Sequence, residues 1–120
     1  MMRRRVLLVD DEPLIAMLVE GWLRDLGCDP ILARSVEQAL RVVESDCPDA
    51  AILDVSLGAD NSYPVADALT ARNVPFAFAT GRESKAIPPP HDGIPLLAKP
   101  YGMDALREMM KGLCPGQIVD

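Results

Sequence analysis

The stretch VLLVDDEP, residues 6–13, decides the fold. Four apolar residues make a short buried strand, and Asp10, Asp11 and Glu12 follow where that strand leaves the core. Pro13 then opens a segment of a different period. Ile15, Leu18, Val19, Trp22 and Leu26 recur three and four residues apart, the stripe of an amphipathic helix. Proline suits the first turn of a helix and Gly27 its C-terminal cap. A buried strand, an acidic exit and a helix form the first half of a strand–helix–strand unit.

The same alternation continues outward. Pro30 to Ala33 reads as a second strand, and Ser35 with Gln38 three residues on is a capping-box pattern. The helix it opens has Val36, Ala39, Leu40 and Val43 on one side. Residues 49–55, DAAILDV, are apolar until Asp54 and read as a strand buried on both faces. SLGADNSYP, residues 56–64, reads as a loop by its Gly, Asn, Ser and Pro content. A shorter helix is expected from Val65 to Arg72. Strands follow at Pro75 to Ala79 and Pro95 to Ala98, and a last helix starts near Asp104 and buries Leu106, Met109, Met110 and Leu113. All-apolar strands alternating with helices predict an α/β fold with a parallel sheet covered on both faces.

Bulk properties bound the function. The chain of 120 residues reads as a single domain, 1–120, and the tail PGQIVD is too short for an output domain. A net charge of −6 excludes the basic face a nucleic-acid partner needs, so no DNA is expected. Arg3, Arg4 and Arg5 read as a solvated strand start. No segment approaches the ~20 apolar residues of a membrane span, so no membrane insertion is expected. Cys28, Cys47 and Cys114 have no metal-ligand spacing and read as reduced thiols of a cytoplasmic protein, Cys47 as a small buried residue.

In open parallel sheets, sites form outside the carboxyl ends of the strands. Those ends carry Asp10 and Asp11, Asp54, Thr80, and Lys99 followed by Pro100. With the first and third strands adjacent, Asp10, Asp11 and Asp54 converge. Each carboxylate pair then costs about 4 kcal/mol at ~4 Å and an effective dielectric near 20. Decorating a helix N-terminus returns only ~0.3–1 kcal/mol per acid. The cluster therefore needs a cation. Oxygen donors without Cys or His select a hard, partly hydrated ion, Mg²⁺ or Mn²⁺. Cation, Lys99 ammonium and Thr80 hydroxyl would surround a phosphoryl group, with Asp54 as the nucleophile.

These residues carry a family resemblance. VLLVDDEP, AAILDVSL, FAFATG and LAKPY, in that order at successive strand ends, resemble the acidic pair, phosphoacceptor strand, switch-threonine strand and lysine–proline turn of two-component response-regulator receiver domains. The resemblance covers essentially the whole chain and implies a flavodoxin-like (CheY-like) sheet in the order 2-1-3-4-5. It implies Asp54 as phosphoacceptor and Asp11 as a direct Mg²⁺ ligand with Asp54 and the Ser56 backbone carbonyl. Asp10 would act through water, Thr80 as the switch hydroxyl, Lys99 on the phosphate, and the bond before Pro100 would be cis. PFAFATG further resembles the FAT GUY subgroup of stand-alone receivers, although Arg82 and Glu83 replace the expected glycine and tyrosine.

The implied function is a stand-alone receiver that takes a phosphoryl group from a sensor histidine kinase or histidine phosphotransfer protein and slowly loses it. It would signal to a downstream protein partner by contact, an arrangement that allows a homodimer, and it would not be an enzyme beyond its own phosphorylation and dephosphorylation. Two features depart from the family. Leu96 lacks the ring that most receivers carry on the fifth strand. Pro88 to Pro90 cannot lie inside a helix, so the fourth helix is expected to be two turns at most, near Glu83 to Ile87, or absent, with an extended mobile segment after it. His91, the only histidine, is expected to be an exposed loop residue, and Trp22 a core residue. The alternative is a pseudo-receiver adaptor that signals without phosphorylation. A haloacid dehalogenase-type phosphatase would want Asp-x-Asp, whereas Ser56 follows Asp54 two residues on. An FMN carrier lacks a hydroxyl-rich loop after the first strand.

Overall fold

The fold is given by a computed structural model, which describes residues 3–81, 87–116 and 118. Five parallel strands form the main sheet: β1 (Arg4–Val9), β2 (Cys28–Ala33), β3 (Ala50–Asp54), β6 (Phe76–Thr80) and β7 (Leu96–Ala98). They lie in the order β2-β1-β3-β6-β7, which is the flavodoxin-like, CheY-like order with successive crossovers. The segment after β3 adds β4 (Ser56–Leu57) and β5 (Asp60–Asn61), a two-residue antiparallel hairpin where the sequence suggests only a loop. Gly58 has φ +62°, as the first position of a primed two-residue turn requires.

Helices α1 (Pro13–Asp25) and α4 (Met103–Leu113) cover one face of the sheet; α2 (Val36–Ser45) and α3 (Tyr63–Ala71) cover the other. The alternation of strand side chains divides the core accordingly. Val6, Leu8, Ile52, Ala77 and Ala79 meet α1 and α4, while Leu7, Val9, Leu53, Phe76 and Phe78 meet α2 and α3. Both strands at the edges of the sheet meet proline: Pro30 lies within β2, and Pro95 and Pro100 bracket β7.

Local signals act much as expected. The Ser35 hydroxyl accepts from Gln38 N–H at 3.1 Å, and the Gln38 side chain accepts in turn from Arg34 N–H at 2.8 Å. Gly27 takes φ +87° just past α1, a backbone that glycine adopts without strain. α3 begins two residues earlier than the sequence suggests, because Pro64 is tolerated in its first turn. Leu106 and Met110 are buried under α4, whereas Met109 and Leu113 only border the core.

The phase of α1 is a correction. Its buried residues are Ala16, Val19 and Leu23, with Leu26 just beyond the helix. Ile15 and Leu18, expected inside, lie on an exposed apolar face with Leu14 and Met17, which are 80% and 67% accessible. Trp22 is half-buried and meets Tyr101 at 6.4 Å between ring centroids. Apolar residues occur on both sides of this helix, so spacing alone does not choose a face, and small Ala16 allows the closer approach to the sheet.

The arginine cluster is not freely solvated. Arg3 donates to the Gly27 and Arg24 carbonyls, Arg4 approaches Asp49, and Arg5 pairs with Asp46 at 2.8 Å. These contacts tie the amino ends of β1, β2 and β3 together, away from the carboxyl ends. Cys47 is exposed rather than buried. Of the short helix expected at Glu83 to Ile87, residues 83–86 lie outside the described residues, and Ile87 is not helical. Among the described residues, none between 81 and 95 is helical. Residues 88–94 are not extended: His91 N–H bonds Pro88 O and Ile94 N–H bonds His91 O, making two successive turns. His91 is buried between α3 and β6, contrary to its expected exposure, because rings on both sides enclose its imidazole.

Candidate functional site

Ladder hydrogen bonds bring the carboxyl ends of the five strands to one level. Asp10 N–H bonds Ala33 O, Val55 N–H bonds Ala79 O, and Lys99 N–H bonds Thr80 O at 2.7 Å. Asp10, Asp54 and Thr80 are thereby all buried at the top of the sheet, at 2%, 8% and 5% exposure. Lys99 reaches across the ends of the strands. Its Nζ lies 3.0 Å from Asp54 Oδ2, 3.4 Å from Asp10 Oδ2 and 3.7 Å from Glu12 Oε1. The Lys99–Pro100 bond is cis.

Above these groups lies a cleft of about 530 Å³ whose walls include Asp11, Asp54, Ser56, Thr80 and Lys99. The predicted residues thus converge, with one difference in emphasis. The carboxylates with oxygens all within 4.8 Å of one another belong to Asp10, Glu12 and Asp54, whereas Asp11 stands on the exposed wall near Gly58. Sequence reasoning assigned Glu12 only to a helix start. The signal it missed is local: Asp10 Oδ1 accepts the Glu12 N–H at 2.9 Å. That side-chain-to-backbone turn accompanies the return of Glu12 towards the cleft.

Electrostatics explain why the cluster invites a ligand. Burial pushes the Asp54 carboxyl above its usual range; the Lys99 hydrogen bond and charge pull it down, and Asp10 and Asp11 push it up again. For Lys99, burial works to lower the ammonium, but the hydrogen bond and charge of Asp54, with Asp10 behind them, leave it raised. The protein therefore holds its lysine firmly charged and its central carboxylate short of cationic partners. An oxygen-only donor set with that deficit fits a hard divalent cation. Asp10, Asp54, Glu12 and Asp11 supply the carboxylates for one, and Ser56 lies on the same wall.

Beside the cleft, a second groove of about 530 Å³ runs along α1 and is lined by Ile15, Leu18, Trp22 and Tyr101. Glu12 and Lys99 border both hollows, so the apolar face of α1 is continuous with the charged site. Burial raises the Tyr101 hydroxyl to about 12, with Lys99 pulling it down and Asp10 and Asp54 pushing it up.

The chain matches the response regulator receiver domain family over residues 6–111. Among curated relatives it is 35% identical over 82 residues to the DNA-binding response regulator MtrA of Mycolicibacterium smegmatis, covering 68% of this chain and 36% of that protein. It spans between 23% and 36% of the curated relatives it matches. Among solved structures it is similar to SdrG from Sphingomonas melonis Fr1, with 42% identity, a TM-score of 0.81, and 92% and 96% of the two chains covered. It is also similar to the receiver domain of sensor histidine kinase PA1611 from Pseudomonas aeruginosa, solved with magnesium in its active-site cleft. That match has 26% identity and a TM-score of 0.76 over 93% and 98% of the chains.

Proposed function

The chain belongs to the response regulator receiver domain family, and from that premise we propose that it accepts a phosphoryl group from a phosphohistidine donor onto Asp54. A carboxylate oxygen of Asp54 attacks phosphorus. The bond from phosphorus to the donor imidazole breaks, and its electron pair returns to that ring. Lys99, already 3.0 Å from Asp54, offers its ammonium to a phosphoryl oxygen, and Thr80 on the cleft wall offers its hydroxyl. A divalent cation held by Asp10, Asp11, Asp54 and the Ser56 carbonyl, with Glu12 adjacent, would neutralise charge on the transferring group. Hydrolysis by water returns inorganic phosphate and the free carboxylate.

The observation that carries this reading is the buried Asp54 carboxylate, raised in pKa and bound to one lysine at the mouth of an acidic cleft. A phosphatase of small esters would need a second acid placed to protonate a leaving group. Glu12 and Asp10 are instead engaged with Lys99. The exposed face of α1 suits the donor. A protein presenting phosphohistidine to Asp54 must cover the rim of the cleft, and the rim continues into Ile15, Leu18 and Trp22. The phosphorylated domain would pass its signal to a downstream protein by contact.

Incubation with acetyl phosphate and Mg²⁺, read by intact mass, tests the proposal. The wild type gains one phosphoryl group and Asp54→Ala gains none. No gain on the wild type, or a gain that survives in Asp54→Ala, refutes it.

A further inference from the structure

We propose that His91 is a positioning residue that couples the strand bearing Thr80 to the helix that follows Asp54; this rests on the phosphoacceptor function proposed above. The His91 side chain is 11% exposed and has contacts on two elements. On α3 it stacks against Tyr63, with ring centroids 4.7 Å apart and planes within 10°, and Nε2 donates to Asp67 Oδ1 at 2.8 Å. On β6 it meets Phe78 edge-on at 6.2 Å. Tyr63 is the first residue of α3, reached from Asp54 through the β4–β5 hairpin, and Phe78 lies two residues before Thr80.

Residues two apart on a strand share a face. Phe76, Phe78 and Thr80 therefore line up on the side of the sheet that His91 occupies. Phe78 touches Phe76 and Tyr63 in edge-to-face pairs at 5.7 and 5.9 Å, so the imidazole completes a continuous ring cluster. Close-packed cores have little free volume and rearrange between discrete packings rather than deforming smoothly. When the Thr80 hydroxyl moves to a phosphoryl group on Asp54, the strand carrying Phe78 shifts, and the imidazole against it has to reseat.

The restraint that gives way is the one at the solvent boundary. The Asp67 side chain is 67% accessible, so its bond to His91 competes with water, whereas Phe78 is fully buried. Release on the Asp67 side changes the surface of residues 87–95 next to Leu96, which is exposed and offers no ring of its own. His91 thus brings a ring from the connecting segment to the sheet face beside the Thr80 strand.

The chain holds one histidine, so its imidazole gives a single set of ring resonances. These are recorded with Mg²⁺ before and after acetyl phosphate, with phosphorylation verified by mass and Asp54→Ala as the control. The wild-type ring resonances are expected to move and those of Asp54→Ala to stay. Linkage is reciprocal: if phosphorylation loosens the Asp67 contact, loosening that contact favours the phosphorylated form. Asp67→Asn is therefore expected to bind beryllofluoride in Mg²⁺ about fivefold more tightly, the lower end of ordinary coupling. His91→Phe, which keeps a ring but loses the bond, is expected to shift the same way. Ring resonances that stay still on verifiably phosphorylated protein overturn the inference and leave the proposed function standing. Unchanged beryllofluoride affinity in both variants also overturns it. Absence of any phosphoryl gain removes the proposed function, and the inference with it.

Discussion

Asp54 carries its negative charge under protest. Its carboxyl is raised because burial and the neighbouring Asp10 and Asp11 outweigh Lys99, and a group raised in this way favours the folded state only while it is protonated. At neutral pH the ionised Asp54 is therefore a local liability, and two consequences follow. Asp54→Asn should raise the melting temperature in chelator by about 4 °C, corresponding to about 1 kcal/mol. Mg²⁺ should raise the wild-type melting temperature by mass action and that of Asp54→Asn much less. Thermal melts of both proteins with and without Mg²⁺ check this; equal Mg²⁺ shifts would separate the cation from Asp54. At this scale the sequence was informative about Asp10, Asp54, Thr80 and Lys99, because each ends a strand and strand ends are set by hydrophobic runs. It was not informative about Glu12 and His91, whose directions depend on an Asp10 turn and on packing between elements far apart in the chain.

Helix α1 has two apolar faces, one buried and one exposed. Ala16, Val19 and Leu23 are buried against the sheet, so Leu23→Ala should cost about 2–5 kcal/mol in urea unfolding, the usual range for emptying a leucine site. Leu14, Met17 and Leu18 are exposed, and Leu18→Asp should change stability by no more than about 0.5 kcal/mol. The same substitution should slow phosphoryl transfer from a phosphohistidine protein at least about tenfold, equivalent to the ~1.4 kcal/mol of one lost apolar contact. Acetyl phosphate, which needs no docking face, should react as before. Comparable losses with both donors would remove α1 from donor recognition. The phase error in the sequence reading has the same origin: a helix apolar on two sides gives no periodicity to choose between them. The β4–β5 hairpin escaped notice because its strands are two residues long, too short for alternation to register, although Gly58 already stood at the turn.

Across the whole molecule, topology was the most legible feature. Val6 to Val9 of β1 and Ala50 to Leu53 of β3 are wholly apolar, which only a sheet covered on both faces tolerates, and parallel connections then leave few arrangements. The segment before β7 was the least legible: its prolines exclude a helix, but nothing local announces that His91 folds back under them. Global stability should also carry a signature of buried, un-ionised groups. Burial raises the Cys28 thiol to about 11, with Cys114 pushing the same way and Arg3 opposing, and the Tyr101 hydroxyl stands at about 12. Unfolded, these groups ionise near their ordinary 9.0 and 10.0. Between those limits the folded chain binds more protons than the unfolded one, so stability falls as pH rises. Urea midpoints should hold below about pH 9 and decline from there to about pH 12; a flat profile would mean that these groups ionise alike in both states.

The prolines at the margins of the sheet bear on how the protein lives among its own copies. An edge strand offers unpaired amides that another chain can zip onto. Here Pro30 removes one such donor from β2, and Pro95 and Pro100 confine β7 to three residues. Neither margin makes a good template for growth, so crowded molecules have little means of polymerising strand upon strand. Contact with other proteins is left to side chains on helices and loops, such as the exposed Leu14, Met17 and Leu18 of α1.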